Sequence, residues 1–130
     1  MFAKLFIVLA LVIGVAGVAA ADPVEGVWKT QPDDNGYYAH VTISACGAEI
    51  CGVLGRAFDS FDQPYEGPAV GRRMIWAMSP QGGGAYTGGK IWVPDRDKTY
   101  NSRMTLNGDR LSVEGCLLGI CRGQTWTRLR

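Results

Sequence analysis

Histidine is nearly absent from this chain: His40 is the only one in 130 residues. A lone imidazole cannot build a His-based metal site, and the cysteines read as oxidised, which removes a Cys–His nucleophile. A charge imbalance is also missing, with 13 Lys+Arg against 12 Asp+Glu and no basic block. Nothing here provides an electrostatic footprint for nucleic acid. Past residue 22 no window keeps a helical period for three turns. The length leaves no room for a cofactor half and a substrate half. A content of 47% hydrophobic and 19% charged residues excludes wholesale disorder.

What is present begins with an address. Met1–Lys4 carries one Lys, Leu5–Val18 is apolar without a charge, and Ala19-Ala20-Ala21 precedes Asp22. These are the parts of a secretory signal peptide, with cleavage expected after Ala21. The expected organisation is residues 1–21 as signal and residues 22–130 as one domain, placed in the periplasm of a Gram-negative bacterium or secreted. The first cysteine is Cys46, too far from the cleavage site for lipoprotein attachment, so no membrane anchor is expected after processing.

Four cysteines form two matching units, Cys46-Gly-Ala-Glu-Ile-Cys51 and Cys116-Leu-Leu-Gly-Ile-Cys121. In an exported chain an even count reads as disulfides rather than zinc ligands. Three pairings are possible. Chain entropy favours long links, at about 4.5 kcal/mol for Cys46–Cys121 against about 2 for a local bond. Geometry favours local Cys46–Cys51 and Cys116–Cys121 bonds, because residues facing each other across a tight hairpin already lie within reach.

Short alternating segments predict eight strands: Val24–Gln31, Tyr37–Ala45, Ile50–Ala57, Arg72–Met78, Tyr86–Val93, Lys98–Leu106, Arg110–Cys116 and Ile120–Leu129. Turn signals separate them, Asn107-Gly108 being the strongest, and only Asp59–Gly71 is a long connection. The expected fold is all-β, an eight-stranded antiparallel up-and-down barrel braced by two disulfides. A sandwich of the same strands would leave edges that a barrel removes.

Gly26-Val27-Trp28 in the first strand, with Trp126-Thr127-Arg128 in the last, resembles the lipocalin and wider calycin pattern. That resemblance implies a barrel opened by G-x-W, with a basic residue of the closing strand covering the Trp. Gly26, Trp28, Trp126 and Arg128 are the implied barrel-closing set. Period two puts Arg128 on the face of Trp126. A broader signature spans almost all of residues 22–130: Gly26-x-Trp28, Cys46-Gly47-x-x-Ile50-Cys51-Gly52, Gly88-Gly89-Lys90-Ile91-Trp92-x-Pro94-Asp95, Lys98-Thr99-Tyr100, and Gly115-Cys116 through Trp126-Thr127-Arg128. It resembles a bacterial family catalogued as domain of unknown function 2147. The resemblance implies small exported proteins with a lipocalin-like barrel and brings no established reaction.

Catalytic chemistry finds little support. His40 shares a strand face with Tyr38, Thr42 and Ser44, an ordinary solvent-facing position. The pairs Asp33/Asp34, Asp59/Asp62 and Asp95/Asp97 sit in Pro- and Gly-rich turns, where Asp caps the local backbone. No catalytic residue, metal site or cofactor is assigned. The strand aromatics are more suggestive. Met74, Trp76 and Met78 are expected on one face, as are Tyr100, Ser102, Met104 and Leu106, and Arg122, Gln124, Trp126 and Arg128. Facing inward, these sets give either a filled core or a pocket, with Trp76, Trp92, Tyr100, Met104, Arg122 and Gln124 as expected ligand contacts. The leading expectation is a non-enzymatic binder of a small apolar or amphipathic ligand. The alternatives are a structural or protein-interaction module of the envelope, and an enzyme using polar groups in the barrel mouth.

Overall fold

The computed structural model describes residues 21–130, so the expected export signal lies outside them except for Ala21. The described chain is all strand and turn: β1 Gly26–Lys29, β2 Tyr38–Cys46, β3 Glu49–Phe58, β4 Pro64–Tyr65, β5 Arg73–Gly82, β6 Ala85–Val93, β7 Lys98–Asn107, β8 Arg110–Leu117 and β9 Ile120–Arg128. Eight long strands form the antiparallel barrel, and the two-residue β4 lies within the long connection against the end of β3. Each long strand pairs with its sequence neighbour, and β1 with β9 completes the ring. The sheet closes on itself through the pairs Trp28–Arg128 and Lys29–Thr127, which favours the barrel over the sandwich.

Both disulfides form locally, Cys46–Cys51 and Cys116–Cys121, with Cα–Cα separations of 5.7 and 4.1 Å. Each ties the two arms of a hairpin, β2–β3 and β8–β9. They fit an oxidising, non-cytoplasmic environment. No helix among the described residues is long and apolar enough to cross a membrane.

The core is the barrel interior, where Trp28, Val41, Ile75, Met78 and Leu111 are fully buried and Ile43 and Trp126 nearly so. Period-two alternation supplies it along β2, where Ala39, Val41 and Ile43 are buried and Thr42 and Ser44 exposed. Strand β5 departs from the expected face of Met74, Trp76 and Met78. Its pairing with β3 slips between Gly52 and Val53 and between Ile50 and Gly52, and Ala77 has a φ of 55°. Such irregularities change which residue points inward. Ile75 therefore enters the core with Met78, while Trp76 turns outward, paired with the exposed Lys90. The β5–β6 hairpin shows why a glycine is needed there. Gly84 has a φ of 84°, and a Cβ on it would lie 2.5 Å from the carbonyl oxygen of Leu106.

Candidate functional site: an open cavity above a plugged barrel end

The two ends of the barrel differ. At one, residues 22–25 fold under the strands. Val24 and Trp28 are fully buried, and the Trp28 indole Nε1–H donates to the Val24 carbonyl at 2.9 Å. Arg128 holds its guanidinium 4.4 Å from the centre of the Trp28 ring. Its Nη1 donates to the Glu25 carbonyl at 3.0 Å and its Nη2 to the Pro23 carbonyl at 2.7 Å. The phenol of Tyr86, from β6, donates to the Asp22 carboxylate. Burial, followed by that hydrogen bond and the Asp22 charge, raises the Tyr86 phenol far above its ordinary range. Trp126 completes the plug, its Nε1–H donating to Gln124 Oε1 at 3.0 Å.

At the other end the barrel opens into a cavity of about 1150 Å³. Cross-strand partners share a face in an antiparallel sheet, so the pairing shows how its wall is made. Gln124 pairs with Val113 and Arg122 with Gly115 on β8, while Ile91 of β6 pairs with Tyr100 of β7. All six line the cavity. Leu54, Ala57 and Met74 continue the apolar wall, and the turns around Asp33 and Asp95 form the rim. The lower wall is apolar, whereas polar and charged groups gather at the mouth.

Of the expected ligand contacts, Trp92, Tyr100, Arg122 and Gln124 line this cavity together. Trp76 and Met104 are not among its lining residues. Trp76 lies outside the barrel, with the Arg73 guanidinium 5.5 Å from its ring centre, because the β5 irregularity turned it out. Met104 is buried deeper, opposite Tyr86 on β6 and Val113 on β8. The barrel-closing residues Gly26, Trp28, Trp126 and Arg128 gather at the plugged end, with Trp28 opposite Arg128 in the β1–β9 register.

Trp92 is held by two partners. Its Nε1–H donates to Asp97 Oδ1 at 2.8 Å, and the Arg72 guanidinium lies 3.7 Å from its ring centre. Sequence reasoning placed Arg72 at a strand end and gave it no role. Its partner comes 20 positions later on the neighbouring strand, so no local spacing announces the pair. His40 is on the outer face, its ring centre 4.5 Å from that of Phe58 and 6.3 Å from that of Tyr38. Burial, then the charges of Arg56, Lys29 and Arg130, lowers its pKa. Among the described residues the one cluster of metal-ligating groups is Glu114, Cys116 and Cys121. Its sulfurs are bonded to each other and its carboxylate is paired with Arg103 at 2.8 Å, which leaves no set of ligands for an ion.

A family model described as "Uncharacterized protein conserved in bacteria (DUF2147)" matches residues 26–128. The chain belongs to this family. Its matched span runs from the glycine that opens β1 to the arginine that covers Trp28. Among solved structures, the chain is similar to Helicobacter pylori protein HP1028, described as belonging to the lipocalin family. The TM-score is 0.66 at 19% identity, over 82% of each chain. At that identity the likeness concerns the fold: a member of this bacterial family folds as a lipocalin-like barrel. No curated protein matches the chain.

Proposed function

We propose that this family member is an exported, non-enzymatic binding protein that takes a small amphipathic molecule into the open end of its barrel. The observation that carries the reading is the asymmetry between the ends: one is plugged by Trp28, Trp126 and residues 22–25, while the other opens into a cavity of about 1150 Å³. An apolar wall with a few convergent polar groups at its mouth is the usual make-up of a small-molecule site. Export rests on the signal-like residues 1–21 and on the two disulfides. The direct test is native mass spectrometry of protein recovered from the periplasm of its own host, followed by solvent extraction. A co-purifying amphiphile, displaced stoichiometrically by an added one, is the expected result. Protein that stays empty and takes up no amphiphile in titration would refute the reading.

A second reading, an interaction module of the envelope, draws on one observation. The tip of the β8–β9 hairpin exposes Leu117, Leu118 and Ile120, with Leu118 at 94% exposure. Large apolar side chains held at a tip suit contact with another surface. Sedimentation analysis of the chain with and without Leu118→Asn tests it. Self-association or a co-sedimenting envelope protein that disappears in the variant would support this module over the binder.

A further inference from the structure

We infer that the ligand of this cavity carries a negative charge, and that Arg122 and Arg72 receive its oxyanion head while the apolar wall takes its tail. The inference rests on the binding reading and refines its ligand class. Arg122 is on β9 directly opposite Gly115 of β8. A Cβ on Gly115 would lie 3.5 Å from both Ile91 and Tyr100, so this pair faces the cavity interior. On the β1 side no strand residue pairs with Arg122, because the β1–β9 register stops at Lys29 with Thr127. The arginine is exposed and lines the cavity.

Arg72 approaches from the other side of the mouth, seated on the Trp92 indole, which Asp97 orients. Stacking on the ring face leaves the edge N–H groups of a guanidinium available to an oxyanion. Neither arginine has an acidic partner: among the described residues the ion pairs are Arg103–Glu114 and Arg128–Asp109. The rim carboxylates have local duties instead. Asp33 Oδ1 accepts from the Asn35 and Tyr37 N–H groups at 2.9 Å each, and Asp97 accepts from Trp92. Asp34 and Asp95 are exposed turn residues on the cavity rim, and neither forms an ion pair with Arg72 or Arg122. Two unpaired guanidiniums above an apolar wall fit an acyl or alkyl chain ending in a carboxylate or a phosphate monoester.

The test titrates the disulfide-bonded protein with single-chain amphiphiles of one tail length, below their micelle concentrations, following displacement of a fluorescent apolar probe. Dodecanoate and dodecyl phosphate are each expected to bind at least about tenfold more tightly than dodecanol and dodecyltrimethylammonium. The preferred head, carboxylate or phosphate, is the one with the larger ratio. Arg122→Gln and Arg72→Gln should each reduce the anionic affinity by about tenfold and leave dodecanol within about twofold. Raising NaCl from about 50 to about 500 mM should weaken only the anions. Far-UV and near-UV circular dichroism of both variants checks that the barrel is intact. Equal binding of dodecanol and dodecanoate, or an anion preference surviving when Arg72→Gln and Arg122→Gln are combined, overturns the charge inference and leaves the cavity reading standing. Failure of all four amphiphiles to bind overturns the cavity reading and this inference with it.

Discussion

Arg128 covers the indole of Trp28 and in the same stroke ties down the segment beneath it, since its two terminal nitrogens donate to the carbonyls of Pro23 and Glu25. Its Nε also lies 3.1 Å from Asp109, so one side chain joins β1, β9, the β7–β8 turn and residues 22–25. Arg128→Gln removes the cation over the ring and both charge-assisted bonds, and should cost about 2–3 kcal/mol. Arg128→Lys keeps the charge but loses the planar fork, and should cost about half as much. Trp28→Ala opens a void in the sealed end and should cost about 3–5 kcal/mol. Urea unfolding midpoints check the ranking, which fails if the Lys variant is as weak as the Gln variant.

The Leu118-Gly119 turn is built against its own sequence. Leu117 pairs with Ile120, leaving a two-residue loop in which Leu118 has a φ of 51° and Gly119 one of 78°. Two positive φ values are what a type I′ hairpin demands, and Asn-Gly serves it far better than Leu-Gly. Leu118→Asn should therefore raise stability by about 0.5–1 kcal/mol, read as a higher melting temperature. An unchanged or lowered melting temperature would mean that the exposed leucine makes contacts that outweigh its backbone cost.

How much of this was legible beforehand follows from the range of each interaction. Strand positions and hairpin disulfides come from alternation, turn residues and spacing, all properties of short segments, whereas the Trp28–Arg128 closure comes from the lipocalin resemblance. The strands fall where expected except that β5 runs on to Gly82 and the short β4 lies in the long connection. The first strand is shorter than expected because residues 22–25 turn under the barrel, with the Glu25 N–H bonded to the Asp22 carbonyl at 2.9 Å. Trp76 was misplaced because a shift in the β3–β5 pairing, together with the positive φ of Ala77, breaks an alternation that no single strand reveals. Arg72 was overlooked for a related reason: its meaning comes from Trp92 on the adjacent strand. Whether the aromatics fill the barrel or line an opening depends on how strands β6 to β9 bring Trp92, Tyr100, Arg122 and Gln124 to one wall, a matter of register between strands.

The Cys116–Cys121 bond closes a six-residue loop, Cys116 through Cys121, at a hairpin whose Leu117 and Ile120 belong to the cavity lining. Chain entropy gives such a loop about 2 kcal/mol. The Cys116→Ser/Cys121→Ser double variant should lose that amount and remain a barrel, since the β8–β9 ladder continues to Arg110–Thr127. Hydrogen exchange should quicken around residues 115–123 and little elsewhere. Loss of protection spreading into β2 and β3 would show that the clip supports the whole barrel.

His40 gives the outer surface a pH dependence of known sign. Burial beside Phe58, and then the charges of Arg56, Lys29 and Arg130, make the folded imidazole harder to protonate than the unfolded one, which titrates near 6.5. Above that value both states hold the ring neutral and His40 has no effect. As the pH falls below it, the unfolded chain takes up the proton first, so stability declines toward the lower folded pKa. His40→Gln should flatten the fall in melting temperature between about pH 7 and pH 5. A folded His40 that titrates at or above 6.5 by NMR would contradict this.

Cleavage after Ala21, expected from the Ala19-Ala20-Ala21 run, would change the chemistry of one contact at the plugged end. The Asp22 backbone N–H already donates to Glu25 Oε2 at 2.6 Å, while the Asp22 carboxylate accepts from Val24 at 3.0 Å and from Tyr86. Once residue 22 is the first residue, that nitrogen becomes an ammonium facing a carboxylate, and a neutral-donor bond becomes an ion pair. A chain beginning at Asp22 should be more stable than one carrying two extra residues in front by about 0.5 kcal/mol, since the pair is only partly buried. Glu25→Gln should erase that difference, and so should high salt. Thermal melts of the four proteins, with N-terminal sequencing of the exported form, decide it. A difference that persists in the Gln variant would trace the effect to crowding by the extra residues.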